Sequence, residues 1–310
     1  MEAVTTAGSN MCLLKTDYKV AGHIFRLSLP YNHLLVSRLS NYLPFICDNT
    51  GDSCELLFQA EVVGAGYNLP EKKDIIGHFE DDTAVIDVFK TSVGGYIFHI
   101  GNSSGICGAK MLTDYEFKKA YIQLNEDESI SFFGLNNCIM MLYAFASAKH
   151  KTLLMHASVI ENNNKAHLFL GKSGTGKSTH SRLWLEHIAD SELLNDDNPV
   201  VRVENNGNVY VYGSPWSGKT HCYKSHSATT GAFVRLQQAQ QNKIEANNMV
   251  KGFAALMPSC SWAPWDKNIH NSICNTISHI LENIKTYTLN CLPDKDAAVL
   301  CYKTINELNI

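Results

Sequence analysis

Residues Gly171-Lys172-Ser173-Gly174-Thr175-Gly176-Lys177-Ser178-Thr179 fit the pattern G-x-x-x-x-G-K-[ST]. Each residue type in that pattern has a chemical reason. Glycines let the backbone curl until several N–H groups point at one anion. A helix that starts at this point adds the positive end of its dipole. Lys177 would reach the β- and γ-phosphates of a nucleotide, and Ser178 would offer a hydroxyl to Mg²⁺. The residues expected to touch the phosphates are therefore Gly171, Ser173, Gly174, Thr175, Gly176, Lys177, Ser178 and Thr179.

A second cluster lies downstream. Ser191-Glu192-Leu193-Leu194 is a short, partly apolar run that ends in Asn195-Asp196-Asp197. Acid at the end of such a strand, after a phosphate loop, is where Mg²⁺ or its waters need a carboxylate. Two adjacent carboxylates allow one to support the metal while the other takes a proton from an attacking hydroxyl. Asp-Asp-Asn-Pro is also good turn chemistry, the competing reading.

The elements that must position these groups can be read from pattern. His167-Leu168-Phe169-Leu170 precedes the glycine-rich stretch as a strand, and Leu183, Trp184, His187 and Ile188 follow it at helical spacing. Met155–Ile160 and Lys165–Leu170 predict a hairpin around Asn162-Asn163-Asn164. Antiparallel pairing then places His156 opposite Leu170 or Gly171, beside the loop, although it could serve there as a purely structural histidine. A second hairpin, Val200–Glu204 with Asn208–Gly213, returns Gly213-Ser214-Pro215-Trp216-Ser217-Gly218-Lys219 next to the two acids. Ser214, Trp216 and Lys219 could there contact a phosphoryl acceptor, or the stretch could be a rigid turn.

The remaining chain predicts an α+β or α/β protein. Its first part, 1–149, is β-rich: a loose start to about residue 17, strands at His23–Ser28, Glu55–Val63, Ala84–Lys90, Gly95–Ile100 and Lys119–Leu124, and a helix at Leu34–Tyr42. Polar clusters such as Asp48–Asp52 and Glu80-Asp81-Asp82 read as solvated turns. Leu135–Ala148 predicts an apolar helix bridging to a second part, 150–310. That part continues with a strand at Gly231–Leu236, helices at Ala246–Met257 and Asn268–Lys285, a strand at Thr286–Leu292 and a helix at Asp294–Ile305.

Composition narrows the function classes. A net charge of -4 does not favour non-specific nucleic-acid binding. No run of 18 apolar residues exists, so no membrane span is expected. The early apolar patch Met11-Cys12-Leu13-Leu14 is too short for a signal-peptide core, and ten scattered cysteines lack paired or zinc spacing. Both point to reduced thiols in a cytoplasmic protein.

Taken together, His156-Ala157-Ser158, the glycine-rich loop, Asp196-Asp197 and Gly213-Ser214-Pro215-Trp216, in this order and spacing, resemble the HPr kinase/phosphorylase-like family. The resemblance covers roughly residues 150–310. It implies a P-loop catalytic domain related to ATP-dependent phosphoenolpyruvate carboxykinase, using ATP and Mg²⁺ to phosphorylate a serine of a protein or peptide. Carried over, Lys177 and Ser178 match the phosphate and Mg²⁺ ligands, Asp196 the catalytic acid/base, Asp197 its neighbouring acid at the metal, and His156 the histidine beside the loop. Family members often form hexamers, so a homo-oligomer is among the expected partners. The first half does not resemble the family's regulatory domain, and the segment tied to dephosphorylation is not recognised. The sequence looks closer to stand-alone HPr-kinase-like proteins, some of which modify peptides in natural-product clusters. Two other functions fit the same residues: a small-molecule, carboxykinase-like phosphotransferase, and a non-catalytic ATP-binding regulator.

Overall fold

The computed structural model describes residues 13–30, 34–48, 55–80, 82–218 and 220–307. Among the stretches read above, residues 1–12, most of the Asp48–Asp52 turn, Asp81 and Lys219 lie outside these. The chain forms two compact units, Met1–Ala146 and Ser147–Ile310, each with its own mixed sheet.

The first unit is built from strands β1 (Leu13–Val20), β2 (His23–Pro30), β3 (Phe58–Val63), β4 (Lys72–Glu80), β5 (Ala84–Thr91), β6 (Tyr96–Asn102), β7 (Cys107–Thr113) and β8 (Lys119–Leu124), and one long helix, α1 (Glu128–Ala148). Their order in the sheet is β1-β2-β3-β8-β7-β6-β5-β4. Only β2–β3 and β3–β8 are parallel. Leu13–Val20, whose residues up to about 17 were expected to belong to a loose start, is a paired strand; the alternation of Lys15, Asp17 and Lys19 with Leu14, Thr16, Tyr18 and Val20 is its signal in the sequence. Leu34–Phe45 is a 3₁₀ segment rather than an α-helix, because Leu39 leaves helical geometry and Pro44 follows.

Asp127 starts α1 by accepting from the amides of Ser129 and Ile130. The helix packs into its own unit. Phe145 lies 5.1 Å from Phe117 and 6.3 Å from Phe98, ring to ring, and the Tyr143 hydroxyl donates to the Val20 carbonyl. Gly134 rests directly on β7: a Cβ there would sit 2.7 Å from that of Ala109. Among the described residues α1 alone is long and apolar enough to cross a bilayer, and 61% of that span is buried in the fold.

The second unit contains β9 (Thr152–Leu154), β10 (Ala157–Asn162), β11 (Lys165–Leu170), α2 (Lys177–His187), β12 (Ser191–Asn195), β13 (Val200–Val203), β14 (Val209–Tyr212), β15 (Ser227–Gln238), β16 (Lys243–Ala246), α3 (Met249–Leu256), α4 (Lys267–Asn283), β17 (Thr286–Cys291) and α5 (Lys295–Glu307). The sheet runs β12-β10-β11-β15-β14-β13-β9. The long strand β15 carries β11 along one edge. On its other edge it carries β14 near its start and β17 near its end. Helices α2 and α5 share a core with the sheet, built on Phe169, Trp184, Val234, Leu289, Cys301 and Ile305. Helix α4, started by Asp266, packs against β9 and β13.

Direction is what matters for the site. Strands β11 and β12 are each antiparallel to β10, so they point the same way. Strands β15 and β17 run parallel to β11. Four strand C-termini therefore reach one edge of the sheet, the usual address of a ligand site in an open α/β sheet.

Candidate functional site

The glycine-rich loop leaves that edge after Leu170 and enters α2 at Lys177. Gly174 (φ +76°) and Gly176 (φ +107°) hold left-handed backbone that a side chain would strain, and space above both is open. Thr175 closes the turn by donating its amide (3.2 Å) and hydroxyl (2.7 Å) to the Lys172 carbonyl. Gln238, at the end of β15, ties the loop to the sheet through the Gly174 carbonyl. No side chain caps the first turn of α2, so its amides stay turned towards the loop.

Lys177 lies folded back under this loop. Its ammonium donates to the carbonyls of Gly171 (3.0 Å) and Lys172 (3.4 Å), and the residue is 9% exposed. Burial pushes its pKa down, while the charges of Asp197 and Asp196 pull it back up. Lysine and acids are thus close enough to feel one another, as the parallel course of β11 and β12 requires. Ser178 is exposed on the first turn of α2, with Thr179 half-buried beside it, and Ser173 is exposed on the loop.

Asp196 is held at both oxygens. Ser158 donates to Oδ1 at 2.6 Å and Thr220 donates to Oδ2 at 2.7 Å. Ser158 lies 2.6 Å from Ser181 of α2. A hydroxyl has one proton, so Ser158, having donated to the acid, accepts from Ser181. The result is a buried relay, Ser181 to Ser158 to Asp196, that links α2, β10 and the end of β12. Asp197 differs. Its backbone pairs with Ala157 and its amide donates to the Asn195 side chain, while its carboxylate faces outward. There it meets His156 Nε2 at 3.5 Å and the close-packed Gly218.

His156 occupies a switch point. Sequence reading ran one strand from Met155 to Ile160, but β9 pairs with β13 and stops, and β10 begins at Ala157 beside β11 and β12. The histidine between them donates its backbone N–H to the Ser259 carbonyl. The pairing Ala157↔Leu170 continues to His156 opposite Gly171, the register expected from the hairpin.

Residues 213–218 do return to the acids, as the pairing Val200↔Tyr212 dictates. Two residues expected to contact a substrate are sealed inside, however: Ser214 is 0% and Trp216 2% exposed. The Ser214 hydroxyl donates to the Asn198 carbonyl and accepts from the Trp216 amide and the Asn195 side chain. Both residues therefore brace the turn. Lys219 lies outside the described residues, and the exposed face of this stretch is Gly218 and Thr220. Beyond Thr220 the chain runs as a strap along the outer side of β12. Cys222 lies against the carbonyls of Leu193 and Leu194, Lys224 pairs with Glu192, and His226 reaches Glu161.

Sequence reading placed Ser158 in the His156-Ala157-Ser158 motif without a role, and did not single out Ser181 or Thr220. Ser158 had a signal, being the polar residue in the apolar start of β10. Thr220 had none, because its partner is 24 residues away. A cleft of about 680 Å³ lined by Glu161, Asp190, Glu192, Lys224 and His226 lies at the opposite edge of the sheet, where Lys224 pairs with Glu192 and His226 with Glu161. It shares no residue with the loop or the acids.

Among the described residues no three His, Cys, Asp or Glu side chains converge as a metal cage. No family model matches the chain, and no curated protein matches it. Among solved structures it is similar to the Hpr(Ser) kinase/phosphatase from Coxiella burnetii, which is 10% identical. That likeness covers 50% of this chain and 90% of the other, at a TM-score of 0.32, a loose similarity of fold.

Proposed function

We propose that residues 147–310 form a P-loop phosphotransferase that moves the γ-phosphate of Mg-ATP to a serine hydroxyl of a protein or peptide. One observation carries this reading. The loop lysine and two adjacent acids stand at the same sheet edge, and both acids act on the lysine's charge. The fit to a nucleotide rests on the loop itself: open space over Gly174 and Gly176, an uncapped helix start, and an ammonium satisfied by loop carbonyls alone.

In this reading the loop amides and the start of α2 hold the phosphates. Lys177 releases the Gly171 and Lys172 carbonyls and turns to the β- and γ-phosphates. Ser178 and Asp197 would hold Mg²⁺, for which one carboxylate with phosphate oxygens and water is a normal ligand set. The ion supplies neutralisation of the charge that builds on the transferring group. Asp196 takes the acceptor's proton through Oδ2, while Ser158 fixes its other oxygen. His156, when protonated, adds positive charge beside Asp197 and the loop. The free thiols among the described residues suit a reducing compartment, the cytoplasm.

The test is incubation with γ-labelled ATP and cell extract. Label should enter protein, and Lys177→Ala should abolish both transfer and calorimetric ATP binding. Label in a metabolite would favour the small-molecule phosphotransferase, and binding without transfer the regulator. Unchanged ATP affinity in Lys177→Ala would sink the proposal.

A further inference from the structure

The hydroxyl already sitting on Asp196 Oδ2 belongs to the protein. Thr220 is exposed, donates its proton at 2.7 Å, and stands where an acceptor hydroxyl must stand to lose that proton to the acid. The opposite oxygen is taken by buried Ser158, so an acceptor has one oxygen to approach, and Thr220 covers it. The adjoining Gly218 packs against Asp197, a Cβ there lying 3.2 Å from the Asp197 Cβ. This brings Thr220's chain across both acids at the edge where Lys177 lies. Behind it the strap is pinned at Cys222, Lys224 and His226, whereas the described side-chain tie to the acids at its front is the Thr220 bond.

We infer that Thr220 is itself a phosphorylation site, modified in cis by the same centre. The inference rests on the function proposed above. In the step, Thr220 Oγ1 attacks the γ-phosphorus of ATP and gives its proton to Asp196. The new bond is Oγ1–P, the bond broken joins the γ-phosphorus to the β,γ-bridging oxygen, and ADP leaves with that bond's electrons. The product brings the front of the strap nearly two negative charges beside two carboxylates. Repulsion then lifts it from Asp196, and the acid becomes open to an outside hydroxyl. Self-modification is thereby the opening event for the strap.

The experiment uses the full-length protein with Mg-ATP, intact-mass measurement and peptide mapping. One phosphate per chain is expected, on Thr220, at a per-molecule rate independent of protein concentration. Thr220→Ser should still be modified, whereas Thr220→Val and Asp196→Asn should not. A second readout needs no nucleotide: amide exchange across residues 217–224 should speed up in Thr220→Val, because the front tie is gone, while exchange in β10 and β11 stays slow. Modification elsewhere, or none in a protein that binds ATP and phosphorylates another acceptor, overturns this inference and leaves the kinase reading standing. Exchange in Thr220→Val identical to the parent protein also overturns it, since the tie would then hold nothing. Absence of ATP binding removes the kinase reading and this inference with it.

Discussion

In the first unit, Asp114 accepts from amides two, four and five residues along the chain, and Asp127 from amides two and three residues along. In the second, Asp196 accepts from hydroxyls 38 and 24 residues away. The first kind of carboxylate satisfies its own turn and is complete when that turn forms. The second is assembled by the tertiary fold, its partners arriving from β10 and from the far side of a hairpin. A carboxylate held by distant side-chain hydroxyls, at an edge shared with the glycine-rich loop and Lys177, is placed differently from a turn-capping carboxylate, whose acceptors are used up by its own turn.

The contrast can be broken most sharply at Asp196. Asp196→Asn keeps an oxygen for Ser158 or Thr220 but cannot take a proton, so transfer should fall about 10²- to 10⁴-fold with ATP binding retained. Asp197→Asn should instead raise the Mg²⁺ concentration needed for transfer. Rates against Mg²⁺ decide both, and swapped phenotypes would reverse the two roles.

Next in size is acid stability. Burial lowers the pKa of His167 and His180 to about 4, so the folded second unit keeps them neutral where the unfolded chain protonates them. Their contribution is full above about pH 6.5 and is lost as pH falls from there towards 4. It is on the order of 3 kcal/mol for each. All four tryptophans, Trp184, Trp216, Trp262 and Trp265, lie in the second unit, so their fluorescence follows that unit alone. Its urea midpoint should drop clearly between pH 7 and pH 5. His99 of the first unit is lowered the same way but is only half buried, so that unit should shift less. A fluorescence midpoint that stays put would mean the two histidines are not buried neutral.

A smaller effect is expected at the helix start of the first unit. Asp127→Ala removes the cap of α1 and should cost about 1 kcal/mol. ATP affinity should be unchanged. If affinity moves, the units are coupled and their separation by chemistry fails. The smallest change of all is expected from deleting the first unit: residues 147–310 should bind ATP as the whole chain does, measured by calorimetry. A fragment that folds but does not bind would show that the first unit completes the site.

What the sequence revealed follows the same division. The strand, glycine-rich loop and helix at 165–187 were legible because their pattern is contiguous, and His156 opposite Gly171 was legible because pairing arithmetic carries a hairpin from turn to base. Strand β4 was not, since Lys72–Glu80 is largely exposed and lacks alternation. Strand β15 was read only from Gly231 because that glycine interrupts the strand pattern, although Thr229 and Thr230 before it favour a strand. Ser158 and Thr220 were missed as partners of Asp196 because nothing local distinguishes a hydroxyl that will meet a distant acid. Ser214 and Trp216 return beside the acids, and of the two roles the sequence left open there their burial fits the rigid turn; spacing gives proximity, not exposure.

The strap along β12 has a consequence for solubility. Strand β12 ends the sheet, and a bare terminal strand is a template for pairing with another chain. Residues 220–226 cover that edge without joining the ladder, held by side chains and one amide, Gly213 to His226. A strap that left entirely would uncover the strand and invite association between copies. If the Thr220 end moves, the Lys224–Glu192 and His226–Glu161 contacts are what keep the rest of the strap against β12 and β10.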